Sequence, residues 1–120
     1  MKSALVSLFL WAVAQADIVH HDWNLEWKTI SPNGLTPKPI ITVNGQWPPP
    51  AIVASEGDRI IVKVKNQLGN ETASIHFHGM YQKGQNHMDG PVGATQCPIP
   101  PGSSFTYDFT VRLLEVITVL

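Results

Sequence analysis

The stretch Ile75-His76-Phe77-His78-Gly79-Met80-Tyr81-Gln82 sets two histidines two positions apart in an alternating run. Successive side chains on a strand point to opposite faces, so His76 and His78 share one face while Ile75 and Phe77 share the other. Two imidazoles then converge on one spot, backed by apolar anchors. Neutral imidazole suits copper and zinc, so a co-facial pair is half of a metal site. Two hydrogen-bonded surface histidines satisfy the same pattern, and the choice between the readings rests on the surrounding sequence.

The surroundings read as all-β. Val19, His21, Trp23, Leu25 and Trp27 fall on one face of an opening strand, with His20, Asp22, Asn24 and Glu26 on the other. His20 and His21 therefore point apart and do not readily share one ion. Ser31-Pro32-Asn33-Gly34 reads as a turn, Ile40 to Val43 as a strand, and Asn44-Gly45 as a second turn. Pro48-Pro49-Pro50 excludes helix and central strand. Ala51 to Ala54 follows, then a turn at Glu56-Gly57-Asp58. From Arg59 to Asn66, Ile60, Val62 and Val64 alternate with Ile61, Lys63 and Lys65. Thr72 to His78 and Ser104 to Val111 complete about six or seven short strands, the pattern of a sandwich or Greek-key barrel. No stretch carries a helical period, and no internal repeat is visible.

The order and spacing of several short motifs add a family resemblance. They are Val43-Asn44-Gly45-Gln46-Trp47-Pro48, Glu56-Gly57-Asp58, His76-Phe77-His78-Gly79 followed by Gln82, Met88-Asp89-Gly90, Thr95-Gln96-Cys97-Pro98-Ile99, Pro101-Gly102-Ser103 and Phe105 to Val111. From about Ile18 to Val111 the chain resembles the first, plastocyanin-like domain of the multicopper oxidases, the family of laccases, fungal ferroxidases and ascorbate oxidases. The resemblance implies a cupredoxin-like Greek-key β-sandwich or barrel, incomplete at its C-terminal end. It also implies copper as cofactor, with His76 at the position of a type 2 copper ligand and His78 at that of a type 3 ligand. A full-length relative has three such domains, eight histidines around a three-copper cluster, and a mononuclear copper in the last domain. Such an enzyme oxidises a phenol or ferrous iron and reduces dioxygen to water.

Only two of those eight histidines are recognisable here. After a strand like Phe105 to Val111 the family continues into a Gly-Thr-x-Trp-x-His-Ser-His segment, whereas this sequence runs Arg112-Leu113-Leu114-Glu115-Val116-Ile117-Thr118-Val119-Leu120. The expectation is a truncated product, inactive by itself. Residues 112–120 form an apolar, β-prone tail outside the family pattern, either read-through or a substitute strand of a short secreted copper-binding or scaffold protein. A free-standing electron carrier of the plastocyanin type is disfavoured, because Pro98-Ile99-Pro100-Pro101 after Cys97 offers no histidine for a blue-copper site.

Residues 1–16 read as a secretory signal peptide: Lys2 gives a positive start, Ala4 to Val13 an apolar core, and Ala14-Gln15-Ala16 a small-x-small cleavage site. That apolar core falls well short of the roughly 20 residues needed to cross a bilayer, so no membrane span is expected. The domain then covers 17–111, and the chain is expected to be secreted or displayed at the cell surface. Formal charge is −1 with no basic cluster, which argues against nucleic acid and anionic membrane surfaces as partners. Copper ions are the expected partner; dioxygen and a phenolic or ferrous substrate belong to a full-length parent.

The single cysteine, Cys97, is an odd count for an oxidising compartment. In the family the cysteine at this position commonly bridges to a later domain. Asn70-Glu71-Thr72 fits a glycosylation sequon between two strands. The long loop from Gly79 to Gly102 has the length of a functional loop. By resemblance it shapes the copper surroundings, with Gln82 and Asp89 at family positions; hydrogen bonding to the loop backbone is the other role open to both. His87 lies where the family places no ligand. Phe77, where many laccases have tryptophan, leans toward fungal ferroxidase-like members or their pigment-pathway relatives.

Overall fold

A computed structural model describes residues 15–112 and 118–119. The expected leader therefore lies outside the described residues except for Gln15 and Ala16, both exposed. The fold is all-β, with one turn of 3-10 helix at Asn86–Met88. The described residues form six strands: β1 (Ile18–Ile30), β2 (Lys38–Val43), β3 (Arg59–Asn66), β4 (Phe77–His78), β5 (Ser104–Thr110) and β6 (Thr118–Val119).

Four of them form a mixed sheet in the order β2-β1-β3-β5. The first half of β1 runs parallel to β3, Ile18 opposite Arg59 through Leu25 opposite Asn66. Its second half runs antiparallel to β2, from Leu25 opposite Val43 to Ile30 opposite Lys38. β2 ends in a tight turn: Asn44 and Gly45 have φ of 51° and 73°, and Val43 and Gln46 exchange backbone hydrogen bonds of 3.1 and 2.9 Å. Positive φ at both central residues is the mirror-image turn that Asn-Gly favours. The Asn44 side chain binds the neighbouring strand, its Nδ2 donating to the Asp22 carbonyl at 2.9 Å and its Oδ1 accepting from the Asn24 N–H at 2.8 Å.

Alternation selects the core. Ile60, Val62 and Val64 of β3 point inward against Trp23 and Leu25 of β1 and Tyr107 and Phe109 of β5, all buried. The expected face of β1 holds from Val19 to Leu25 but not at Trp27, which is 47% exposed. Pairing with β3 ends at Leu25, so the last turn of alternation runs past the core; there Trp27 lies opposite Ile41, itself 42% exposed.

The expected strand Thr72 to His78 is mostly irregular. Ala73 pairs with Ile99 through reciprocal backbone bonds of 3.1 and 2.8 Å, and the Ile75 N–H donates instead to the Tyr107 hydroxyl at 2.8 Å. A side-chain hydroxyl in place of a neighbouring strand interrupts the ladder. Burial pushes the Tyr107 hydroxyl pKa up, so it remains protonated at neutral pH. Ala51 to Ala54 is likewise not a strand, although Ile52 is buried: three prolines just upstream supply no N–H to a ladder.

Asn66, at the end of β3, ties these irregular segments to the sheet. Fully buried, it donates through Nδ2 to the Glu71 and Ile99 carbonyls at 2.8 and 2.9 Å and accepts from the Leu68 N–H at 3.0 Å. Replacing it with alanine strips these groups of partners at about 1–3 kcal/mol per buried group. Asn66→Ala is therefore expected to lower unfolding free energy by about 3 kcal/mol, read from the urea midpoint, whereas alanine at exposed Gln67 leaves it nearly unchanged.

Two carboxylates give the fold an acid limit. Arg59 donates two bonds to Asp108, Nε at 2.7 Å and Nη2 at 2.6 Å, and this hydrogen bonding holds the Asp108 pKa below its ordinary value. Asp58 is lowered by the backbone N–H groups of Ser55 and Asp17. A carboxylate whose folded pKa is depressed contributes stability above its unfolded pKa and loses it as pH falls through the folded value. Urea midpoints should hold steady from pH 7 to about 4 and decline below it; Asp108→Asn should flatten part of that decline.

Candidate metal centre

β4 places the histidines as alternation requires. Phe77 is fully buried, its ring 4.7 Å from Phe109 and 5.3 Å from Tyr107, both tilted edge to face. Ile75 is buried on the same side, so His76 and His78 face the other way. Their ring centroids lie 5.7 Å apart with planes at 81°.

The Gly79 to Gly102 loop returns to this strand and fixes one ring. His76 Nδ1 is 2.8 Å from the Asp89 carbonyl oxygen, and one Asp89 carboxylate oxygen lies 3.4 Å from the same nitrogen. A carbonyl can only accept, so this contact assigns the proton to Nδ1 and leaves the Nε2 lone pair free. Such a hydrogen bond is the usual way a protein orients an imidazole toward a metal.

Gly90 makes this approach possible. It is buried with φ of 99°, and a Cβ there would stand 1.8 Å from the Ile75 carbonyl oxygen and 2.9 Å from the His76 Cα. Any side chain would push the loop off the histidine strand. The other end of the loop is clamped by Gln85, which donates through Nε2 to the Thr110 carbonyl at 3.1 Å and accepts from the Thr110 N–H at 2.8 Å through Oε1. Met88 adds its sulfur, which accepts from the Asp108 N–H at 3.4 Å. The sequence reading missed the roles of Gln85 and Gly90. The positive φ that Gly90 adopts is a backbone demand glycine meets freely, the one sequence signal available; a glutamine clamping a distant strand leaves none.

The remaining candidates separate. Gln82 has φ of 44° and lies in a cleft of about 310 Å³ with Met80, Gln85, Thr110 and Arg112. Its amide nitrogen and oxygen are buried without a partner among the described residues, so it does not bind the loop backbone through its side chain. Cys97 is exposed with a free thiol. Asn70 is exposed in the bend after β3. His20 lies 3.7 Å from Asp22, and His21 packs its ring 5.9 Å from Trp23, on opposite faces of β1. His87 is exposed in the 3-10 turn. No group of three or more histidine, cysteine, aspartate or glutamate side chains able to hold a metal occurs among the described residues. No helix among them is long and apolar enough to cross a membrane. At the far edge of β4, Thr118 and Val119 of the tail pair antiparallel with His78 and Phe77.

Known proteins resemble this chain in sequence and fold. The family model described as multicopper oxidase matches residues 24–116. The iron transport multicopper oxidase fetC of Epichloe festucae is 52% identical over 99 residues, covering 82% of this chain and 16% of its own length. The laccase abr2 of Aspergillus fumigatus is 51% identical over 98 residues, with coverage of 82% and 16%. Among solved structures, the laccase from Botrytis aclada superposes with a TM-score of 0.77 at 40% identity, covering 83% of this chain and 18% of its own. The chain thus spans 16% of the length of each curated relative just named. With a cupredoxin-type all-β fold and a family match over most of its length, this chain belongs to the multicopper oxidases.

Proposed function

We propose that residues 17–111 form the N-terminal copper-binding domain of a multicopper oxidase, with His76 and His78 contributing one ligand pair to a trinuclear copper cluster. The observation that carries the reading is the fixed His76 ring: Nδ1 is committed to the Asp89 carbonyl, and Nε2 is presented beside His78 on the solvent side of β4. Imidazole donors suit copper, and a site built from two of them is open to further ligands. Copper bound in a complete cluster supplies electron transfer to dioxygen. The part of this chain is to hold two imidazoles at fixed separation, with Asp89 orienting one of them and Gly90 permitting the contact.

Two imidazoles bind copper weakly, and the remaining histidines of a cluster come from elsewhere in a longer parent. Alone, the chain is expected to lack oxidase activity. Oxidation of ferrous iron or of a phenol belongs to the parent, where the relatives named for iron transport and as a laccase set the two substrate classes. The secretory leader 1–16, a glycan at exposed Asn70, a disulfide from exposed Cys97 to another domain, and Gln82 as a neighbour of the complete site all accord with such a parent. The pairing of Thr118 and Val119 with β4 favours a second reading, a short secreted copper-binding or scaffold protein in which the tail 112–120 takes the place of a missing strand.

Copper stoichiometry with electron paramagnetic resonance on the purified chain tests the site. Binding that reaches about one copper per chain or per dimer and disappears in the His76→Ala/His78→Ala double variant is the expected result for the short protein. Copper content equal in both proteins overturns the short-protein reading and leaves the chemistry of the pair to the longer parent. Gly90→Ala is expected to weaken histidine-dependent binding about 10–100-fold, the size of effect seen when a ligand loses its orienting partner. Competition with a copper chelator reads that change.

A further inference from the structure

We propose that Asp58 is the receiving site for a processed N-terminus: hydrolysis of the Ala16–Asp17 bond turns an amide-to-carboxylate hydrogen bond into an ion pair between the new α-ammonium and the Asp58 carboxylate. The inference rests on the leader reading for the position of the cut, and on the fold for everything else. Asp58 is 8% exposed, and its two oxygens accept from the backbone N–H of Asp17 at 2.9 Å and of Ser55 at 2.7 Å. The Asp17 carbonyl in turn accepts from the Arg59 N–H at 2.9 Å, so Asp17 is held at both ends just before β1 begins.

Arg59, the cation nearest in sequence, does not serve Asp58, because its guanidinium is committed to Asp108 through two bonds. An enclosed carboxylate held by two backbone amides is a ready acceptor for a cation. The sequence supplies one. Ala14-Gln15-Ala16 ends a leader at the residue before Asp17, and both Gln15 and Ala16 are exposed to a peptidase.

The step balances with one water and a leader peptidase of the secretory pathway. Hydroxide equivalent from water adds to the Ala16 carbonyl carbon, the C–N bond breaks, and the Asp17 nitrogen leaves with a proton. At neutral pH that amine takes a second proton from solvent, the Ala16 carboxyl releases one, and nothing is oxidised or reduced. The nitrogen need not move, since it already lies at hydrogen-bond distance from Asp58.

The full chain is to be produced through a secretory host with its own leader. Intact mass and N-terminal sequencing are expected to give Asp17 as the first residue. The α-amine is then labelled at pH 7 with an amine-reactive ester, with the lysines as internal reference. An ammonium paired to a carboxylate holds its proton more tightly, and each unit of pKa lowers the reactive fraction about tenfold. Labelling is expected to be about tenfold slower than in Asp58→Asn, and slower by a similar factor than in the same wild-type protein unfolded in urea, which serves if the variant does not fold. A different first residue overturns the processing site. An Asp17 start with equal labelling rates overturns the ion pair and leaves the leader reading standing.

Discussion

The packing of Phe77 between Phe109 and Tyr107 is the interaction on which the rest of the candidate site depends. A two-residue strand has little hydrogen-bonding strength of its own, and β4 owes its position to this aromatic contact and to the Ile75 N–H bond to Tyr107. Once Phe77 is inside, the period of two leaves the neighbouring histidines no choice but the outer face. The core thereby orients the two candidate ligands on its outer side.

Around that anchor the loop from Gly79 to Gly102 acts as an arm fixed at several points. Gln85 and Met88 hold it to the edge of β5, the Ala73–Ile99 bridge holds its far end, and Gly90 lets the middle lie directly on Ile75 and His76. Each fixture uses a backbone group, so the geometry at His76 does not rely on flexible surface side chains. Asn66 extends the same logic to the segment between β3 and β4.

Much of the fold was legible because alternation is local. Ile60, Val62 and Val64 alternate in sequence and are buried on one face; Asn44-Gly45 has turn composition and forms a turn. The failures were nonlocal. Trp27 follows the alternation yet is half exposed, because the neighbouring strand that would cover it ends sooner. Thr72 to His78 has the composition of a strand, but its partner at Ile75 is the tip of a tyrosine rather than another backbone. At the candidate site the pairing of His76 with His78 was readable from spacing, whereas the contact between His76 and Asp89 joins residues thirteen apart in sequence.

The sequence by itself determined the all-β class, the inward face of each main strand, the co-facial histidines and the family resemblance, since these follow from residue types at short fixed spacings. Tertiary structure alone decided which nitrogen of His76 is free, why Gly90 cannot carry a side chain, what Gln85 holds, and that Asp58 receives the start of β1. Those features depend on distances between segments remote in the chain, which a local periodicity does not encode and only packing of the whole fold sets.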